Sequence, residues 1–303
     1  LLFGGRRLVW NRERVPSTRI AGVTRGEEIA RVRWALAALI VLGASAVMIV
    51  AILLVRRRAP EGGYFNDGDR ASGVFGVLAT GFALLLGFVI FLAFTKFDGS
   101  RAGAEAEALA VVQLFETAQL MPPDAGPELA GELECYARSV VHVEWPAMES
   151  GGGAEAINPW GLSMLSTLEG VEPETASEQS AFDAWLAQTN GREEARRDRL
   201  HAADGVVPLP VWIVLLLSAG LVLLYLLFFA DSGERAVVQG LLAGSVTAVV
   251  AASLLVLLTL NKPYSQEIGG IRPVAMQRSL EIIADARAAF DLVDPVPCDA
   301  AGE

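Results

Sequence analysis

The chain has 303 residues, 53% of them hydrophobic and only 19% charged, with a mean hydropathy of +0.43. That balance argues against a disordered chain and against a soluble enzyme, whose charged fraction is usually about 25%. A net charge of −11 argues against nucleic acid as a partner of the whole protein.

Residues 1–33 form an arginine-rich leader carrying eight arginines. It is too long for the n-region of a signal peptide, so no cleaved signal is expected. Trp34 to Val55 follows, 22 residues without a charge. Ala71 to Thr95 is a second such run, of 25 residues. At about 1.5 Å per residue each exceeds the ~30 Å hydrocarbon core, and only a helix satisfies its own backbone there. Small residues Gly76, Thr80, Ala83 and Gly87 share one face of the second span, and Leu84, Phe88 and Phe91 lie beside it. Gly76, Thr80 and Gly87 are candidates for close helix or subunit packing. Leu84, Phe88 and Phe91 either face lipid or ring an oligomer axis as a hydrophobic neck.

Past this span, Asp98, Arg101 and Glu105 are spaced three and four apart and form a charge ladder on one helix face. It either fixes the membrane junction, pairing with Arg196 and Arg199 on the returning helix, or is simply solvated. Segment 97–204 is too long for a plain loop and reads as a helical layer. Ala104, Ala108, Val111, Phe115 and Ala118 mark a first helix that stops at Met121-Pro122-Pro123. Leu129, Leu133, Tyr136, Val140 and Val143 mark a second, up to Trp145-Pro146. Gly151-Gly152-Gly153 reads as a flexible break. A third helix, behind Pro173 and Glu174, runs through Phe182, Trp185 and Leu186 into Arg192–Leu200. The segment 98–204 holds 20 acidic and 6 basic residues. Such a surface is either simply solvated or attracts cations or a basic partner.

Gly205 to Ala230 and Ala236 to Asn261 are the third and fourth spans, 26 residues each. Gly240 and Gly244, four apart, suit close packing within or between subunits. Asn261-Lys262-Pro263-Tyr264 ends the fourth span, because proline cannot continue its hydrogen bonding. A last helix follows Pro273 through Leu280, Ile283 and Phe290. The domain plan is therefore a leader (1–33), spans one and two (34–96), an acidic helical domain (97–204), spans three and four (205–261) and a C-terminal helix with its tail (262–303).

Eight arginines in the leader against four in the loop after the first span, Arg56, Arg57, Arg58 and Arg70, place the N-terminus inside. Four spans then leave both termini and the long segment in the cytoplasm. No Asp, Glu, Lys, Arg or His lies within a span, which disfavours a proton-driven pump but allows a pore. No phosphate-binding loop, nucleophile elbow or paired-histidine metal motif occurs. His142 and His201 are expected to be ordinary surface or packed residues. Cys135 and Cys298 are too few for a disulfide framework or a four-thiolate site, and are expected to be plain small residues. No enzyme activity, metal or cofactor is expected.

The order of landmarks resembles the bacterial bestrophin-like family, a domain of unknown function related to bestrophin anion channels. The resemblance rests on Arg56-Arg57-Arg58-Ala59-Pro60, Leu86-Gly87-Phe88, Phe97-Asp98-Gly99-Ser100-Arg101 and Glu105-Ala106-Glu107-Ala108-Leu109. It continues with Leu120-Met121-Pro122, Tyr136, Glu144-Trp145, Arg196, Arg199-Leu200, Leu209-Pro210-Val211-Trp212 and Pro263-Tyr264, and covers roughly residues 35–290. Asn261 and Tyr264 depart from the acidic and Phe residues of that corner. The resemblance implies an all-α, four-span subunit of a homopentameric channel in the bacterial inner membrane. The second helix would line the pore, with Leu84, Phe88 and Phe91 as neck. Anion permeation is implied by the family, whereas the acidic segment suits cations better. The alternative is a non-conducting membrane scaffold or stator-like signalling subunit that docks a protein partner through its cytoplasmic helices.

Overall fold

The computed structural model describes residues 18–151, 158–203, 205–265, 269–292 and 296–303, with side chains from Arg31 onward. Most of the arginine-rich leader, and Gly152 and Gly153 of the expected break, lie outside the described residues. The described residues are helical throughout their regular structure and contain no strand. In chain order the helices are α1 (Thr18–Arg56), α2 (Gly68–Ala118), α3 (Gly126–Ser139), α4 (Trp145–Glu149), α5 (Trp160–Glu169), α6 (Ala176–Leu200), α7 (Leu209–Phe228), α8 (Ala236–Asn261) and α9 (Val274–Ala289). Four of them, α1, α2, α7 and α8, are long and apolar enough to cross a membrane.

The α2 helix is the spine. Asp67 starts it by accepting the amide of Arg70 at 2.9 Å. It then runs unbroken for 51 residues, about 75 Å at 1.5 Å per residue. It stays helical through Gly99 and Gly103 at the membrane junction, where Phe97 and Ala104 are packed. Its first half packs on α7 and α8 through Phe82, Leu86, Val89 and Ala93. Its second half packs on α3, α6 and α9 through Ala104, Ala108, Val111, Leu114 and Phe115. One helix thus belongs to both the membrane core and the extramembrane core.

The α1 helix packs mainly on α8. A Cβ on Gly240 would lie 3.4 Å from Ile49, and one on Gly244 2.9 Å from it. These glycines therefore serve packing inside the subunit. At the end of the bundle away from the extramembrane layer, Phe65, Phe75, Tyr225 and Phe229 form an aromatic cluster. The Arg56 guanidinium ties the two loops there, donating to the carbonyls of Ser232 (2.9 Å) and Glu234. Arg56 thus has a structural task besides its weight in topology.

Several boundaries differ from those expected. The third span begins at Leu209, because Pro208 supplies an extended start and the amides of Val206 and Val207 are held by Asn261. The second extramembrane helix does not stop at Trp145-Pro146. A π-helical turn, Val140–Glu144, absorbs one extra residue and passes directly into α4, where Pro146 sits in the first turn and no amide is missed. The α5 helix had no sequence forecast. The α6 helix opens on a capping box between Thr175 and Glu178.

Cys135 and Cys298 are not plain small residues: they form a disulfide across 163 residues. The expectation failed because the two sulfurs meet only where the segment 296–303 lies on α3.

Candidate functional site

Two features stand out on α2, one on its bare side and one on its buried side. At about 100° per residue, Gly76, Thr80, Leu84, Gly87, Phe88 and Phe91 lie opposite the buried Phe82, Leu86, Val89 and Ala93. Leu84, Phe88 and Phe91 are 70%, 61% and 63% exposed. Nothing in the subunit lies within 4 Å of a Cβ placed on Gly76 or Gly87. The two small-residue stripes therefore differ. Gly240 and Gly244 are filled by Ile49, whereas Gly76, Thr80 and Gly87 are open. Beyond the membrane run the bare side continues through Asp98, Glu105, Leu109 and Glu116, all exposed. Within it Arg101 pairs with Glu105 at 3.1 Å.

Arg196 and Arg199 do not complete the ladder; they pair elsewhere. Arg199 is buried and is held by Glu107, with Nη2 to Oε1 at 3.0 Å and Nε on the other carboxylate oxygen. The same Nη2 donates to Glu144 Oε2 at 2.6 Å. Arg196 reaches Glu144 Oε1 at 3.2 Å. The Tyr136 hydroxyl donates to Glu107. The Arg192 guanidinium lies 4.5 Å from the centre of the Tyr136 ring, and that of Arg199 5.7 Å from the Trp145 ring. Tyr264, just past α8, donates its hydroxyl to the Arg199 carbonyl at 2.6 Å. The cluster joins α2, α3, the π-helical turn, α6 and the exit of α8.

Local sequence explains how each member arrives there. Glu107 lies three after Ala104 and four before Val111, on the apolar stripe of α2. Glu144 lies four after Val140, on the stripe of α3. A carboxylate on a buried stripe is stable only with a cation and hydrogen bonds beside it. That signal was present in the sequence and points to Glu107 and Glu144, which the reading by motif passed over. The crossing itself needs Gly103, where a Cβ would come within 2.7 Å of the Arg199 amide and 2.8 Å of the Ala195 carbonyl.

Electrostatics agree with a closed network. Burial alone would raise the Glu144 pKa, but Arg199 and Arg196 outweigh it and the pKa is lowered. Burial would lower that of Arg199, but Glu107 and Glu144 reverse this and it is raised. Burial, then Glu107, raises the Tyr136 pKa. Two carboxylates against two guanidiniums leave no net charge for a ligand. The arrangement can lock helices. Among the described residues no three His, Cys, Asp or Glu side chains gather as a metal site. His201 meets Lys96 at 3.1 Å on the surface, and His142 is exposed.

The chain's resemblances follow this architecture. A family profile described as Bestrophin-like domain matches residues 34–276. No curated protein matches the sequence. Among solved structures, a variant of a bacterial bestrophin homolog from Klebsiella pneumoniae is 15% identical, with a TM-score of 0.59 over 82% of this chain and 98% of that one. A second variant of that homolog is 13% identical, with a TM-score of 0.61 over 84% and 98%. At such identities the likeness speaks for a common fold.

Proposed function

Because this chain belongs to the bestrophin-like family, we propose that copies of it assemble around an axis as an ion channel, with α2 of each copy lining the pathway. The observation that carries the reading is the bare side of α2. It is the same side from Gly76 to Glu116, and the subunit's own helices leave it uncovered at membrane depth. Around an axis, Leu84, Phe88 and Phe91 would form a narrow apolar neck that gates by dewetting. Gly76, Thr80 and Gly87 would let neighbouring copies approach. Five copies, as in the channels the family resembles, would repeat each of these residues as a ring.

The permeant ion we propose is a cation. Below the neck the same side of α2 presents Asp98, Glu105 and Glu116, with Arg101 offsetting one of the three. Repeated rings of carboxylates concentrate cations and repel anions at the mouth of a pore. We propose that the extramembrane layer faces the cytoplasm of a bacterial cell, a reading supported by the arginine balance of the leader and the loops.

Flux through purified protein in liposomes tests this, with separate potassium and chloride gradients. Wild-type protein passes potassium in preference to chloride. Phe88→Ala and Phe91→Ala widen the neck and raise the flux. Asp98→Asn with Glu116→Gln lowers the preference for potassium. No flux of either ion through folded, oligomeric protein sinks the channel reading and favours a scaffold that docks a basic partner on the acidic side.

A further inference from the structure

We propose that Cys135 and Cys298 form a reversible redox latch that holds the segment 296–303 on α3. This goes beyond the channel reading; it rests on the cytoplasmic placement proposed above and not on conduction. Four contacts converge on the latch. The disulfide joins buried Cys135 to part-exposed Cys298. Gly302 presses so closely on α3 that a Cβ there would lie 2.3 Å from the Ser139 amide and 2.9 Å from the Cys135 carbonyl. Trp160 donates its indole N–H to the Gly302 carbonyl at 2.7 Å. Arg138 donates to the Asp299 carbonyl at 2.9 Å. The segment is shaped for this seat, since the Asp299 carboxylate accepts the amides of Ala301 and Glu303 at 2.9 and 3.0 Å.

The seat adjoins the buried cluster. Cys135 precedes Tyr136, and Ser139 precedes the π-helical turn that carries Glu144. A layer facing the cytoplasm meets thiol reductants that break most disulfides, and bridges found there are usually made and broken as signals. Cys298 is the more exposed residue of the two. A thiolate of a dithiol reductant attacks its Sγ, and the Cys135 thiolate leaves and takes up a proton. The second thiolate of the reductant then resolves the mixed disulfide, releasing the Cys298 thiol. The bridge gains two electrons, and the dithiol becomes a disulfide. Without the bridge, 296–303 is held by two hydrogen bonds and the Gly302 contact, and its release uncovers α3 beside the cluster.

The test uses the full chain in lipid nanodiscs, treated with dithiothreitol or with oxidised glutathione. Thiols are counted by maleimide mass tagging after denaturation, and amide hydrogen exchange is followed in peptides from 296–303, 133–144 and α7. Native dithiothreitol treatment yields two thiols and speeds exchange in the first two peptides about tenfold or more, with α7 unchanged. Cys298→Ser exchanges fast in either buffer; reduced wild type gives the same answer if that variant does not fold. Equal exchange in the two states overturns the latch. So does a bridge that dithiothreitol opens only after denaturation, or a pair of thiols that oxidised glutathione leaves unbridged.

Discussion

Glu107 and Arg199 are 92 residues apart in the chain and face each other across the α2–α6 crossing, both fully buried, at 3.0 Å from Oε1 to Nη2. Neither would be tolerated there alone. Replacing only the arginine, as in Arg199→Met, strands the carboxylate of Glu107 and leaves Glu144 with Arg196 as its cation. The expected loss is about 3–5 kcal/mol, the usual effect of breaking a buried pair by one partner. Glu107→Met combined with Arg199→Met removes both charges of the pair and loses less than Arg199→Met alone. Thermal unfolding followed by helical circular dichroism ranks the variants, and the reverse order would show that the pair's charges are not its main contribution.

Acid should loosen the same cluster. The Glu144 pKa is lowered in the fold: burial opposes this, and Arg199 and Arg196 override it. An ordinary glutamate titrates near ~4.3. The stabilisation from Glu144 is therefore full above that value and is lost as pH falls through the lower, folded pKa. Glu144→Gln destabilises at pH 7, and the difference from wild type shrinks progressively as pH falls below ~4.3.

Glu132 should show the opposite slope. Burial raises its pKa, although the hydroxyls of Ser163 and Thr167 donate to it and pull the other way. Its favourable state is the protonated one, present below ~4.3 and lost as pH rises through the raised folded value. Glu132→Gln keeps the oxygen and drops the charge, so it is expected to match or exceed wild-type stability at pH 7. A marked loss at pH 7 would show that the charge itself is required.

Two glycines make a contrast in kind. Alanine at Gly103 meets the backbone of Arg199 and Ala195 at 2.7 and 2.8 Å, which cannot rotate away. Gly103→Ala is expected to lower stability by about 1–3 kcal/mol. Alanine at Gly244 meets only the side-chain end of Ile49 at 2.9 Å. Gly244→Ala is milder, and Ile49→Val, which deletes Cδ1 but keeps Cγ1 at 3.0 Å, relieves it in part. Unfolding midpoints of the three variants check this.

Asn261 caps the turn that enters α7. Its Oδ1 accepts the amides of Val206 at 3.0 Å and Val207 at 2.7 Å. Asn261→Ala leaves two part-buried donors unserved and is expected to lose about 1–3 kcal/mol, whereas Asn261→Asp retains both bonds. Equal losses in the two variants would mean that the cap is not what matters there.

How far the sequence reached depends on the range of each interaction. The spans were legible because hydropathy is summed locally, and α8 spans Ala236–Asn261 as expected. The stripes of α2, α3 and α6 were legible because helical periodicity repeats every few residues. Glu107 and Glu144 were half legible: each sits on an apolar stripe and so demands a partner, but the stripe does not say which arginine supplies it. The π-helical turn at Val140–Glu144 was not legible, since Pro146 reads locally as a stop and only packing of the flanking turns carries the helix through.

The amino-acid sequence by itself determined an all-helical membrane protein, its four crossing segments and the buried stripes of α3 and of the extramembrane half of α2. Those properties follow from burial preferences of residues within a few turns of one another. Only the tertiary structure decided that Arg199 serves Glu107, that Cys135 meets Cys298, and that Gly240 and Gly244 are filled while Gly76 and Gly87 stay bare. Each depends on how distant parts of the chain meet, which is a compromise among many contacts across the molecule. The same small-residue spacing can therefore hold a helix of its own chain or lie open for a second copy, and the neighbour alone tells the two apart.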